Sequence, residues 1–129
     1  LLILFAIIII SVVWDIRGEE IVGIASYYGA SPKKEHLNEN TAMNIPFSAE
    51  LFEAAMPDRK MLESVIKITS LKTGKSLICR VTDFGPHPRL KRIIDLTKAA
   101  FDYLSDGNLE WGLMKVKVEI VKYARRNKN

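Results

Sequence analysis

The sequence predicts one mostly β domain, either a compact β-barrel or a small α+β sheet, with five or more short strands and two small helices. Its 129 residues suit a single domain. Short apolar runs alternate with clusters of turn-forming residues, which is typical of small β folds. Residues 114–121 alternate strictly between apolar and charged side chains, and a period of two indicates a half-buried strand.

Four further segments predict strands in the amino-terminal and central parts of the chain. Residues 21–28 are rich in β-branched and aromatic side chains and end at Gly29. Residues 65–68 and 76–81 are joined by a glycine-containing connection, a spacing typical of an antiparallel hairpin. Residues 92–94 predict another short strand.

Two short helices and one long loop complete the predicted domain. Residues 48–56 predict a helix, because Ser48 can cap it, acidic residues occupy its early turns, and a proline follows its end. Residues 95–97 predict the start of a second helix, with Thr97 as its cap. The polar stretch 31–43 contains proline and asparagine and predicts a loop.

The amino-terminal segment predicts a membrane signal. Thirteen of residues 1–14 are apolar, which suits a signal peptide or a signal-anchor helix better than an amphipathic helix. No small-residue cleavage pattern follows, so we expect an uncleaved anchor and an extracytoplasmic domain; a buried element of the domain is the alternative. The predicted division is anchor 1–14, linker 15–20, folded domain 21–121 and basic tail 122–129.

Charge and cysteine content exclude several classes of protein. The net charge is +4, but four basic side chains lie in residues 122–129, which leaves a neutral folded body. A nucleic-acid-binding domain carries its positive charge on a folded face, so we expect no nucleic-acid partner. One cysteine cannot form an internal disulfide, and with two histidines it supplies too few ligands for a structural zinc site. We therefore expect no metal and no cofactor.

Asp83 is the strongest candidate for chemistry. It ends an apolar strand and is followed by Gly85-Pro86, a sharp turn. A carboxylate at the end of a rigid element is well placed for catalysis. The alternative is that Asp83 is a turn residue whose side chain bonds the backbone.

Four segments resemble the rare lipoprotein A family in order and spacing. They are GIASYYG at residues 23–29, the pair Thr41-Ala42, VIKITSLKTGKSLICRVTDFGP at residues 65–86 and RIIDLTKAA at residues 92–100. The resemblance implies a six-stranded double-psi β-barrel. It also implies action on the bacterial cell wall, where several members of the family are lytic transglycosylases that cut peptidoglycan glycan strands.

The resemblance implies a partial set of site residues. The catalytic aspartate of the family falls on Asp83, its glutamate falls on Ile45, and a histidine of the same groove falls near Met56. The implied substrate-binding residues are Tyr27, Tyr28, Thr41, Arg80, His87, Arg89 and Asp95.

Three functions remain open from the sequence. The first is an envelope enzyme in which Asp83 acts alternately as acid and base, with Glu50, Glu53 or Asp95 as a possible second carboxylate. The second is a peptidoglycan-binding module that does not cleave, because two polar positions of the family are apolar here. The third is a structural or partner-binding envelope protein.

Overall fold

The computed structural model describes residues 19–28, 40–46 and 48–124. The predicted anchor and most of the predicted linker, much of the predicted loop 31–43 and the last five residues of the basic tail lie outside the described residues.

Six strands form a closed barrel, so the expectation of a mostly β domain is confirmed. The strands are β1 (Glu20–Tyr28), β2 (Glu53–Met56), β3 (Val65–Ser70), β4 (Ser76–Phe84), β5 (Ile94–Thr97) and β6 (Met114–Lys122). Around the barrel their order is β1-β5-β2-β4-β3-β6. One α-helix, α1 (Lys98–Leu104), and short 3-10 turns at Arg59–Met61, Pro88–Leu90 and Leu109–Trp111 connect them.

The pairing of the strands combines local hairpins with crossed parallel pairs. Strands β3 and β4 form the predicted antiparallel hairpin, and β6 lies antiparallel between β3 and β1. In contrast, β1 pairs in parallel with β5, and β2 pairs in parallel with β4. Each parallel pair joins strands that are far apart in sequence, which brings the ends of β1, β2, β4 and β5 to one part of the barrel.

The barrel core follows the period of two that the sequence predicts. In β6 the side chains of Met114, Val116, Val118 and Ile120 are buried, and the intervening charged side chains are not. Phe101 of α1 is fully buried, with its ring centroid 4.7 Å from that of Tyr27. The short helix therefore contributes an aromatic side chain to the same core as the strands.

The predicted helix over residues 48–56 is wrong. Residues 49–50 form a turn, and strand β2 begins at Glu53. Ser48, the predicted helix cap, instead accepts a hydrogen bond within this turn, since the Glu50 amide donates to Ser48 Oγ at 3.3 Å. Helix propensity is a weak local preference, and here β2 gains backbone pairing with both β4 and β5.

The second predicted helix is correct in place but not in its boundary. Residues 94–97 form β5, and α1 begins at Lys98 with Thr97 at the cap position. The Thr97 hydroxyl does not cap the helix; it donates to the Leu51 carbonyl oxygen at 2.5 Å. Within the described part of the chain, no helix is long and apolar enough to cross a bilayer.

Candidate functional site

One face of strands β1, β5, β2 and β4 is polar, and this is the candidate site. Along these strands the residues on the opposite side, including Ala25, Leu96, Ala54 and Val81, belong to the barrel core. The positions that face the other way carry side chains suited to chemistry, and on β4 a register shift after Val81 places Asp83 beside Ala55. We call these positions the site face, and its members are Ser26, Tyr28, Glu53, Ala55, Asp83, Asp95 and Thr97.

Strand register places two aspartates on either side of Ala55. Ala55 of β2 pairs with Asp83 of β4 on one side and with Asp95 of β5 on the other, and Asp95 pairs in turn with Ser26 of β1. Because neighbouring strands are about 4.8 Å apart, the Cα atoms of the two aspartates lie about 10 Å apart. Ala55, between them, has a small side chain and is itself buried.

Asp83 is oriented by two main-chain amides. Its Oδ1 accepts from the Phe84 amide at 2.9 Å and from the Ala42 amide at 3.3 Å. The second contact brings the turn of residues 41–45 against the end of β4, where the Met43 amide also donates to the Thr82 carbonyl oxygen at 3.3 Å. Asp83 is half-buried and, among the described residues, no hydrogen bond reaches its Oδ2. One oxygen thus holds the group in place while the other is available.

Asp95 and the turn after β4 lie close together. Asp95 Oδ1 accepts a hydrogen bond from the Ser26 hydroxyl. A Cβ atom at Gly85 would lie 3.6 Å from Asp95 Oδ2, and Gly85 has φ +137°, a conformation that favours glycine. The turn therefore depends on glycine at the point where it approaches the second aspartate.

Glu53 adds a third carboxylate to the site face. Its backbone amide donates to Thr97 Oγ1 at 3.3 Å, and its Oε2 accepts from Thr82 Oγ1 at 3.3 Å. The sequence suggested Glu53 only as one of three possible second carboxylates, because the wrong helix over residues 48–56 concealed its alternation with Ala54. Reading Glu53, Ala55 and their buried neighbours with a period of two would have placed it on a strand face.

Tyr28 lies among these carboxylates. Burial raises the pKa of its phenol well above the ordinary value, and the negative charges of Asp83, Glu53 and Asp95 raise it further. The hydroxyl is thus held in its protonated form across the neutral and moderately alkaline range. A neutral phenol among acids can donate a hydrogen bond to a carboxylate or to a ligand oxygen.

We expect Tyr28 to ionise at a pH well above the ordinary tyrosine value when the folded protein is titrated with base. Its proton is lost at a higher pH in the folded chain than in the unfolded chain, so this group's contribution to stability falls as pH rises above the ordinary value of 10.0. Tyrosinate absorbance measures the effect, and the component that Tyr28→Phe removes should appear above the ordinary value of 10.0. Appearance of that component at about the ordinary value would contradict the expectation.

The structure distributes the other predicted site residues over several places. Tyr27 packs in the core and its hydroxyl donates to the Leu109 carbonyl oxygen at 3.3 Å. Thr41 is buried in the turn beside Asp83, with its amide donating to the Ile45 carbonyl oxygen at 2.9 Å. Arg80 is exposed on β4.

The remaining two predicted site residues, His87 and Arg89, are exposed at the 3-10 turn after β4. There the Arg89 amide donates to His87 Nδ1 at 3.3 Å. The structure therefore brings Tyr28, Asp83 and Asp95 together on the site face, and it adds Glu53.

Across residues 19–28, 40–46 and 48–124, no three His, Cys, Asp or Glu side chains are grouped so that they could hold a metal ion. Cys79 lies in the core, and burial raises the pKa of its thiol to about 12.

Curated relatives share most of the described barrel. The endolytic peptidoglycan transglycosylase RlpA of Yersinia pestis is 32% identical over 103 residues, which is 80% of this chain and 26% of that protein. The protein of the same name from Pseudomonas aeruginosa is 39% identical over 105 residues, 81% of this chain and 28% of that protein. The chain thus spans little more than a quarter of the length of these relatives. No family model matches the chain.

Solved structures with the same architecture decide the fold. Streptomyces papain inhibitor superposes with a TM-score of 0.63 at 20% identity, covering 81% of this chain and 96% of that one. An expansin from Clavibacter michiganensis superposes with a TM-score of 0.59 at 16% identity, covering 84% of this chain and 53% of that one. The chain contains an RlpA-like double-psi β-barrel domain.

Two positions of the RlpA-like domain differ from the polar residues that the resemblance implies. Ile45 is half-buried in the turn that contacts Asp83. Met56 is buried and lines a cavity of about 830 Å³ together with Met61 and Ile93. Neither side chain can exchange a proton, so any acid or base in this RlpA-like barrel must come from other positions.

Proposed function

We propose that this RlpA-like domain cleaves the glycan strands of peptidoglycan by a lytic transglycosylase reaction in which Asp83 is the acid and the base. The observation that carries the proposal is the position of Asp83, which is held by two amides through Oδ1 and is the register partner of Ala55, with Asp95 on the other side of Ala55. The relatives named endolytic peptidoglycan transglycosylase support the same substrate class.

The proposed reaction needs only one group that transfers protons. Asp83 donates a proton to the glycosidic oxygen as the bond from that oxygen to the sugar carbon breaks. A hydroxyl of the same sugar then attacks that carbon and returns its proton to Asp83, which leaves an anhydro sugar and consumes no water. The carboxyl group therefore acts first as acid and then as base.

The architecture of the site face supports an extended ligand. The site face continues across four strands, from Ser26 on β1 to Asp83 on β4. The small residue Ala55 lies between Asp95 and Asp83. An expansin with this fold is known in complex with cellohexaose. We propose that this chain likewise binds a polysaccharide, a glycan strand that lies across Ala55 between the two aspartates.

The proposed substrate implies an extracytoplasmic location. Peptidoglycan lies outside the cytoplasmic membrane, and residues 1–14 form the apolar segment predicted to be a signal or an anchor. We propose that this segment directs the domain to the cell envelope and holds it at the membrane.

A second candidate function is binding of peptidoglycan without cleavage. It is favoured by Ile45 and Met56, which replace the glutamate and the histidine that the family resemblance implies. On this alternative the site face binds the glycan and Asp83 acts only as a hydrogen-bond acceptor.

Product analysis separates the two functions. The protein is incubated with glycan strands stripped of peptides, and the released ends are identified by mass spectrometry. Anhydro-sugar ends that increase with time support the lytic transglycosylase. Retention of the protein on purified cell wall without any new ends would overturn cleavage and leave the binding function.

A further inference from the structure

Glu53 lies on the site face within reach of the same ligand as Asp83. It precedes Ala55 by two residues on β2, so both side chains point to the same side of the strand. From a strand rise of about 3.3 Å and a strand spacing of about 4.8 Å, its Cα lies about 8 Å from that of Asp83. Both residues also lie close enough to Tyr28 for their negative charges to raise the pKa of its phenol.

The surroundings of Glu53 leave its charge without a cationic partner. Among the residues that the structure describes, the ion pairs are Lys75–Asp106 and Lys117–Glu119, and neither involves the site face. Arg80 is the register partner of Glu53 on β4, but it is exposed and forms no ion pair with it. The side-chain contact of Glu53 is the 3.3 Å bond from the Thr82 hydroxyl.

The other acid of the face is already engaged. Asp95 Oδ1 accepts a hydrogen bond from the Ser26 hydroxyl. At position 45, where the family resemblance implies a glutamate, this chain has isoleucine. Glu53 is therefore the carboxylate whose position and contacts best suit the missing role.

We propose that Glu53 is the second carboxylate of the site and binds the sugar at which the bond breaks, in place of the acid absent from position 45. The inference rests on the proposed function. As the glycosidic bond breaks, positive charge develops on the sugar ring, and the ionised Glu53 stabilises that charge. Asp83 gives and regains the proton as described above, so Glu53 transfers no proton and forms no bond.

The test compares three variants of the full chain in the assay for anhydro-sugar ends. Glu53→Gln should lower the rate at least about 100-fold, because the amide lacks the charge. Glu53→Asp should recover part of the rate, because the charge is kept on a shorter side chain. Glu110→Gln is the matched control: this exposed acid lies in the 3-10 turn Leu109–Trp111, outside the site face, and the rate of this variant should stay within about twofold of the parent rate.

Two further measurements distinguish the proposed role of Glu53 from a purely structural one. Glu53→Gln should also lower the pKa of Tyr28 in the folded protein, since it removes one of the negative charges that raise it. It should change kcat more than KM, because the charge is needed as the bond breaks. Equal losses in Glu53→Gln and Glu53→Asp, with a lowered melting temperature and an unchanged Tyr28 titration, would overturn the proposal.

Failure of this inference is distinguishable from failure of the proposed function. If the parent chain releases anhydro ends and Glu53→Gln does so at the same rate, Glu53 is not the second carboxylate and cleavage stands. If the parent chain releases none, the lytic function is overturned and the role of Glu53 is overturned with it.

Discussion

Replacing Asp83 with asparagine should lower the release of anhydro-sugar ends by at least about 100-fold, the contribution typical of a positioned acid or base. The amide cannot donate its proton to a glycosidic oxygen as a carboxylic acid does. Its side-chain oxygen can still accept from the Phe84 and Ala42 amides, which hold Oδ1 of the aspartate at 2.9 and 3.3 Å. The substitution therefore removes the chemistry while it preserves the main contacts of the side chain.

The matched control for this substitution is Asp102→Asn on helix α1. Asp102 is exposed and lies outside the site face, so the Asp102→Asn protein should release anhydro-sugar ends at the same rate as the parent. The assay is the time course of anhydro ends from stripped glycan strands, with a thermal melt of each variant. An Asp83→Asn protein that melts like the parent and retains its rate would show that Asp83 is not the acid.

Replacing Phe101 with alanine should destabilise the domain by about 3–5 kcal/mol, the range for removal of a buried aromatic ring from a core. Phe101 is 0% exposed, and its ring contacts that of Tyr27 on β1. The loss combines the transfer free energy of the ring with the cavity that remains. It should appear as a lowered midpoint of urea unfolding with a nearly unchanged slope.

The neighbouring residue on α1 provides the comparison. Asp102→Ala changes an exposed side chain and should alter the free energy of unfolding by about 0.5 kcal/mol or less. Similar unfolding midpoints for the Phe101 and Asp102 variants would mean that α1 does not pack in the core as the structure shows.

The apolar period of several strands could be predicted because it is local. Strand β6 and the β3–β4 hairpin follow from the alternation of side chains and a glycine-containing turn, and both are confirmed. Asp83 could likewise be placed at the end of a strand, since the residues before it alternate and a Gly-Pro turn follows it. Each of these inferences uses only neighbours in the sequence.

Residues 48–56 show where local information failed. Their composition favours a helix, and the serine and proline at the ends match helix signals. The barrel instead requires a strand between β4 and β5, and the backbone of β2 bonds to both neighbours. Tertiary pairing overrode a preference that is weak for each residue.

Local patterns in the chain are enough to predict most of the alternating segments, the apolar side chains of the core and the aspartate near the end of a strand. That Asp83, Glu53, Asp95 and Tyr28 share one face is visible only in the folded barrel. These residues lie on four strands, and strand register between segments far apart in the chain sets their proximity. The physical reason is that side-chain period is a property of one strand, whereas a site of this kind forms only when the closed barrel brings several strands side by side.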